Sequence, residues 1–315
     1  MKTQKIFIAL IILGLSAPLF KSVIYPVFLM NVLCFALFAA AFNLLLGFAG
    51  LLSFGHAAFF GFAAYVTGYL VRIVGVTPEL GIAAGTVVAG IMGLAFGSLA
   101  IRRQGIYFAM ITLAFAQMVF FLCVQMKFTG GEDGIQGIPR GKFLGLVDLT
   151  SNVSMYYFVL IVVTICFWFI YRVVHSPFGQ VLKSIRENEA RAISLGYDAD
   201  KFKLVAFVLS AAFAGTAGAT KCLVNQLASL TDVHWHMSGE VVLTTLLGGL
   251  GTFVGPLVGA FTVKGLEHFL AETGSWVPVI TGAIFVICVL IFRRGIVGEI
   301  AAIFRKMVHE NPRSN

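Results

Sequence analysis

The sequence predicts an all-α polytopic membrane protein of roughly eight to ten transmembrane segments, one of them broken by glycine and proline. Three observations predict it. The 315 residues are 59% hydrophobic and only 11% charged, whereas a soluble domain carries about 25% charge. Apolar runs long enough to cross a bilayer recur along the whole chain, and mean hydropathy is +0.96. The 34 glycines suit close helix packing in lipid, where small residues let backbones approach. A net charge of +8 in a soluble protein would point to nucleic acid. Here the basic residues sit mostly near span ends, so cytoplasmic loop bias accounts for them and no nucleic-acid partner is expected.

Span candidates are residues 6–20, 27–47, 53–71, 81–100, 106–126, 153–171, 204–223 and 277–292, judged against the ~20 apolar residues a helix needs to cross. The first follows Lys2 and Lys5 and has the look of a signal peptide; an uncleaved span is the favoured reading because the rest of the chain is membrane-embedded. Cys34, Cys123, Cys166, Cys222 and Cys288 each lie alone in or beside an apolar run, as buried small hydrophobes do, and no disulfide or zinc pattern is present. No linker or low-complexity stretch divides the chain, so residues 1–315 are expected to form a single transmembrane domain.

Residues 241–263 are also apolar but contain Leu247-Gly248-Gly249-Leu250-Gly251-Thr252-Phe253-Val254-Gly255-Pro256, a run dense in helix breakers. Topology bears on it. With the N-terminus inside, Arg102, Arg103 and the 175–203 loop fall inside, and the 127–152 loop falls outside. The neighbourhood 172–203 carries six Lys or Arg residues, at 172, 183, 186, 191, 201 and 203, in keeping with the positive-inside rule. A single crossing by 241–263 would strand Arg293, Arg294, Arg305, Lys306 and Arg313 outside. A segment that enters and returns, or forms two short half-spans, removes the conflict, so a broken helix near Gly248–Pro256, facing the protein interior, is expected.

The polar segment 175–203 is longer than a connection between spans requires. Val181, Leu182, Ile185, Ala192 and Ile193 fall on one side of a short predicted helix, with Lys183, Arg186, Glu187 and Arg191 largely elsewhere. Glu187 and Arg191 stand four residues apart and can pair. Gly196 can end the helix in a left-handed C-cap, and Asp198 can cap the next one. Two readings stay open on physics alone: a rigid docking knob, or an amphipathic helix on anionic lipid, the latter weakened by Glu187, Glu189, Asp198 and Asp200.

The run Arg186-Glu-Asn-Glu-Ala-Arg-Ala-Ile-Ser-Leu-Gly196, followed by Lys203 to Gly218, resembles the coupling-loop signature of ABC importer permeases. More narrowly, it resembles the branched-chain amino acid permease family, in its second-permease type. Asn43–Gly61, Tyr107–Phe115, Thr129–Pro139, Leu247–Pro256 and Arg294-Gly295 agree with that family in order along the chain. Arg191 departs from it, since members usually carry a small residue there. The resemblance implies a fold similar to the vitamin-B12-importer class, a related second permease, two cytoplasmic ATP-binding subunits and an external solute-binding protein. It implies that Arg186, Glu187, Asn188, Glu189, Ala190 and Gly196 couple to the ATPases. It also implies a bacterial-type plasma (inner) membrane and alternating access.

The chain has no Gly-x-x-x-x-Gly-Lys-Ser/Thr run, so no cofactor is expected on it and ATP is left to partner subunits. Asn43, Ser53, His56, Thr112, Gly248, Gly249 and Gly251 are candidates for the translocation path, because polar groups and backbone breaks in a membrane face the interior. His56 alone reads as an interhelical hydrogen bond. Glu132 and Asp133, in the glycine-rich outer loop, are candidates for binding-protein docking, with a solvated loop as the equal alternative. His234, His236 and Asp232 are too sparse for a metal site. No catalytic cluster suggests an enzyme. A stand-alone secondary transporter or channel would need ionisable residues at mid-span, which the runs above nearly lack. The expected cargo is a branched-chain amino acid, with urea, short amides or other amino acids as alternatives.

Overall fold

The structure, a computed structural model, describes residues 25–270, 274, 277–291 and 295–299. The predicted span 6–20, Arg293, Arg294 and the basic tail beyond residue 299 lie outside these residues. The helices are α1 (Pro26–Asn43), α2 (His56–Tyr69), α3 (Pro78–Ala100), α4 (Ile106–Gln125), α5 (Asn152–His175), α6 (Pro177–Glu187), α7 (Glu189–Ser194), α8 (Ala199–Asn225), α9 (Leu230–Val233), α10 (Trp235–Gly248), α11 (Gly255–Leu270) and α12 (Val277–Ile291). Four short strands join them: β1 (Ile135–Gln136), β2 (Lys142–Phe143), β3 (Val147–Asp148) and β4 (Leu227–Ala228). Six helices are long and apolar enough to cross a membrane, with α1 and α2 extended by π-helical turns over Leu44–Ala49 and Leu70–Val74. The chain is an all-α multi-pass membrane protein.

Helix α1 is apolar on every side and almost wholly enclosed, as a helix without a polar face must be. Helix α8 packs across α1, α2 and α3. Its Gly218 lies against the Phe60 carbonyl, where an added Cβ would come within 1.9 Å of the oxygen, and Gly215 lies against Ala89 of α3. Gly93 of α3 answers with Ala211 of α8. Small residues thus let backbones touch, which is how helices associate where lipid is as apolar as leucine. Helices α3 and α4 turn Leu80, Val87, Ile91, Met110 and Phe121 outward, a lipid-facing set.

Helix α8 has 27 residues and so spans about 40 Å. The segment 175–198 precedes it, and β4, paired antiparallel with β1 of the 127–152 loop, follows it. The two loops therefore stand at opposite ends of the molecule. The far end is closed by β1–β4, by the β2–β3 hairpin and by Arg140. The Arg140 guanidinium donates to Asn152 Oδ1 (2.7 Å) and the Val224 carbonyl (2.9 Å).

Helices α10 and α11 form the expected broken pair. They run back to back, with Gly248 on the Gly255 carbonyl and Gly259 on the Thr244 carbonyl. Gly249 (φ 119°) and Gly251 (φ 70°) take backbone angles that β-carbons disfavour. The chain reverses direction here.

Candidate coupling and translocation site

The polar segment is not one helix but two. Asn188 is extended (φ −156°) and its Oδ1 accepts from the Arg191 amide at 3.0 Å, so it caps α7 instead of continuing α6. The break changes the faces. Leu182, Ile185 and Ala192 are buried and Val181 is half-buried, but Ile193 is 56% exposed, contrary to its place on the predicted apolar side. The expected Glu187–Arg191 pair does not form. Glu189 turns inward instead, to Lys203 Nζ at 2.5 Å and Gln104 Nε2 at 3.1 Å. Gln104 lies in the turn beside Arg102 and Arg103, so that turn shares an end with the coupling segment.

Gly196 behaves as expected. With φ +90° it closes α7, donating to the Ile193 carbonyl while the Tyr197 amide reaches the Ala192 carbonyl, a Schellman closure. Asp198 Oδ1 accepts from the Lys201 amide at 3.2 Å and starts α8. Lys201, together with that amide bond, holds the Asp198 carboxyl below its ordinary range. Ile193, Leu195 and Tyr197 are exposed around this turn, with Arg186, Glu187, Asn188, Ala190 and Arg191 also on the surface.

Behind the knob lies the broken helix. Arg186 donates to the Gly47 carbonyl at the end of α1, and Lys183 stands over the Phe48 ring. Four residues back, Asn43 accepts from the Gly251 amide (2.9 Å) and donates to the Thr252 carbonyl (2.8 Å). One side chain thereby satisfies two backbone groups that the break leaves free. Phe253 packs on Phe167 and Tyr171 of α5, and Gly295 comes against Gly249. The turn 249–254 is thus held by Asn43, with the knob one contact away.

Ser53, His56 and Thr112 meet where the chain passes from α1 into α2. Helix α2 starts at His56, after the non-helical residues 50–55. Its first amides are met by hydroxyls: Phe54 N–H by Thr112 (3.1 Å), Gly55 N–H by Ser53 (3.1 Å) and Ala57 N–H by Ser238 (2.9 Å). His56 Nε2 is hydrogen-bonded to Ser210 (2.8 Å), inside a cage of Phe42, Phe59 and Phe207. All of these polar side chains are buried.

The candidates thus fall into two groups on one side of the molecule. Glu132 and Asp133 are exposed at the other end, and neither is in an ion pair among the described residues. Asp232 is committed to Lys221 (2.5 Å), and His234 caps α10 while stacking on His236. Sequence reasoning missed Ser210, Ser238, Lys203, Gln104 and Thr252. The one signal was a hydroxyl or charge inside an apolar run. It also understated the charge within helices: Lys264 Nζ bridges Glu240 (2.5 Å) and Glu267 (2.9 Å) over the Phe35 ring, fastening α10, α11 and α1.

A broken helix pair packed inside a multi-pass helical protein, with a helical knob at one end, is an arrangement that membrane transport proteins use. The family model "Branched-chain amino acid transport system / permease component" matches residues 26–292, and the chain belongs to that family. It is 26% identical to the high-affinity branched-chain amino acid transport system permease protein LivM of Escherichia coli, covering 91% of this chain and 73% of that protein. A probable LivM of Methanocaldococcus jannaschii is 26% identical over 62% of this chain and 59% of its own length. A probable LivH of the same organism is 25% identical over 78% and 82%. No solved structure matches the chain.

Proposed function

We propose that this chain is the membrane-spanning permease of an ATP-driven importer for branched-chain amino acids in a bacterial-type inner membrane. It would pair with a related permease, as the likeness to both LivM and LivH proteins suggests. Two ATP-binding subunits would grip the knob 175–203 from the cytoplasm, and a solute-binding protein would dock on the 127–152 loop near Glu132 and Asp133. One observation carries the mechanism: Arg186 of the knob and Asn43 of α1 fix, within one helical turn of each other, the knob and the re-entrant turn. Closure of the ATPases would push on Ile193, Leu195 and Tyr197, exposed apolar side chains suited to a protein partner. Lys203 and Glu189 would carry the push into α8. Arg186 would carry it into the end of α1 and so into the turn 249–254. Helices packed at glycines shift as bodies, which gives alternating access without bending them.

The test replaces Glu189 and Gly196, by Glu189→Ala and Gly196→Val, in the assembled transporter. Uptake and substrate-stimulated ATP hydrolysis should fall about tenfold while membrane insertion persists. Unchanged coupling in both variants would refute the role given to the knob.

A further inference from the structure

A second short segment stands beside α7 at the knob end of the molecule. Residues 102–105 join α3 to α4, and Gln104 Nε2 donates to Glu189 Oε2 at 3.1 Å. The other oxygen of that carboxylate takes Lys203 of α8 at 2.5 Å. One side chain thus fastens the knob, the turn and α8 together. Gly105 sets the course of the turn. Its φ of 61° and ψ of −131° form a backbone that a β-carbon disfavours, and the chain leaves it directly into α4.

Arg102 and Arg103 are exposed on this turn, and neither is in an ion pair among the described residues. Ile106 and Tyr107, the first residues of α4, are exposed beside them. On the knob, Arg191, Ile193, Leu195 and Tyr197 are exposed. The two patches share a composition of arginine, tyrosine and aliphatic side chains, and protein interfaces are enriched in arginine and tyrosine.

Size argues that one partner covers both. Helix α7 has six residues and is about 9 Å long. A stable protein interface buries about 800 Å² per partner, from roughly 20–30 residues a side, which α7 alone cannot supply. Ile193 is one helical turn from Glu189, and Arg103 precedes Gln104, so the turn lies within the footprint of a protein seated on the knob. A lipid phosphate would suit the two arginines equally, but it gives no reason for their turn to be fastened to the knob.

We infer that the α3–α4 turn is a second docking element for the ATP-binding subunit that grips the knob. Arg102 and Arg103 pair with carboxylates on that subunit, where a guanidinium can bond both oxygens. Gln104 is a positioning residue that holds the turn in register with α7. The inference rests on the coupling role given to the knob.

The test uses the assembled transporter, co-expressed with its ATP-binding subunits and held in bilayer discs of phosphatidylethanolamine and phosphatidylglycerol. A photo-reactive residue is placed at position 103 or at position 193. Irradiation should join both positions to an ATP-binding subunit. Position 193 joined to that subunit, with position 103 joined only to lipid or to nothing, would overturn the docking of the turn and leave the knob's role standing. Failure at both positions would overturn the two together. Gln104→Ala should lower the yield at 103 about tenfold, the worth of one hydrogen bond to a charged group, and leave the yield at 193 unchanged. An unchanged yield at 103 would refute the part given to Gln104. Arg102→Gln combined with Arg103→Gln should weaken retention of the ATP-binding subunit about tenfold. Unchanged retention, with only binding to phosphatidylglycerol vesicles lost, would assign the arginines to lipid and overturn the pairing.

Discussion

The chain leaves helix at two enclosed places, residues 50–55 and 249–254, and the two are secured differently. At the start of α2, separate hydroxyls from Ser53, Thr112 and Ser238 each meet one amide, and His56 with Ser210 adds a further tie. At 249–254, Asn43 alone holds both Gly251 and Thr252 by hydrogen bonds, beside the packing of Phe253 on Phe167 and Tyr171 and of Gly249 against Gly295. A break with several independent supports stays put when one is lost. Where one side chain serves two backbone groups, whatever shifts that side chain acts on both, and Asn43 stands one helical turn from the carbonyl that Arg186 grips. The first spreads its hydrogen bonds over several side chains, and the second concentrates them on one.

Four experiments would break or sharpen that contrast. The largest effect is expected from Asn43→Ala. It strips the partner from both an amide and a carbonyl, and stability should fall by about 2–4 kcal/mol; thermal unfolding in detergent checks it, and a loss below that of a single cap would dissolve the difference between the breaks. Next is Gly259→Ala, whose Cβ would sit 2.2 Å from the Thr244 carbonyl. Prying α10 from α11 should cost about 1–3 kcal/mol and raise the accessibility of a cysteine placed at Thr252. Ser238→Ala should cost about 1 kcal/mol, because one amide of several loses its cap. Uptake should then fall far less than in Asn43→Ala; equal losses would mean that the first break moves too.

The smallest effect concerns pH. Asp198 titrates below its ordinary range in the folded chain because of Lys201, and a lowered folded pKa stabilises only the ionised state. The cap on α8 is therefore intact above the usual carboxylate range and is lost as pH falls through the lowered value. Hydrogen exchange at the Lys201 amide should accelerate only there, with the turn at 249–254 unaffected.

The position of the break at Gly248–Pro256 was legible in the sequence, and its supports were not. Gly248 to Pro256 announce a non-helical stretch, because glycine and proline act on the backbone locally. Asn43 stood out as a polar residue in an apolar run, yet its partners lie 208 and 209 residues away. Asn188 shows the opposite failure. The periodicity of 181–193 favoured one helix, but an asparagine side chain can take an amide from the backbone and start a new one. That choice turned Ile193 outward and left Glu187 without Arg191.

The sequence by itself determined that the chain lives in a membrane, where its helices run, where one must break, and that it carries a capped knob between two spans. These rest on composition, hydropathy and short-range backbone chemistry, which act within a few residues. Only the tertiary structure decided that Glu189 pairs with Lys203, that Asn43 holds the re-entrant turn, and that Gln104 brings the turn before α4 beside the knob. Hydrogen bonds and packing between residues far apart in the chain depend on which helices become neighbours, and no local pattern encodes that.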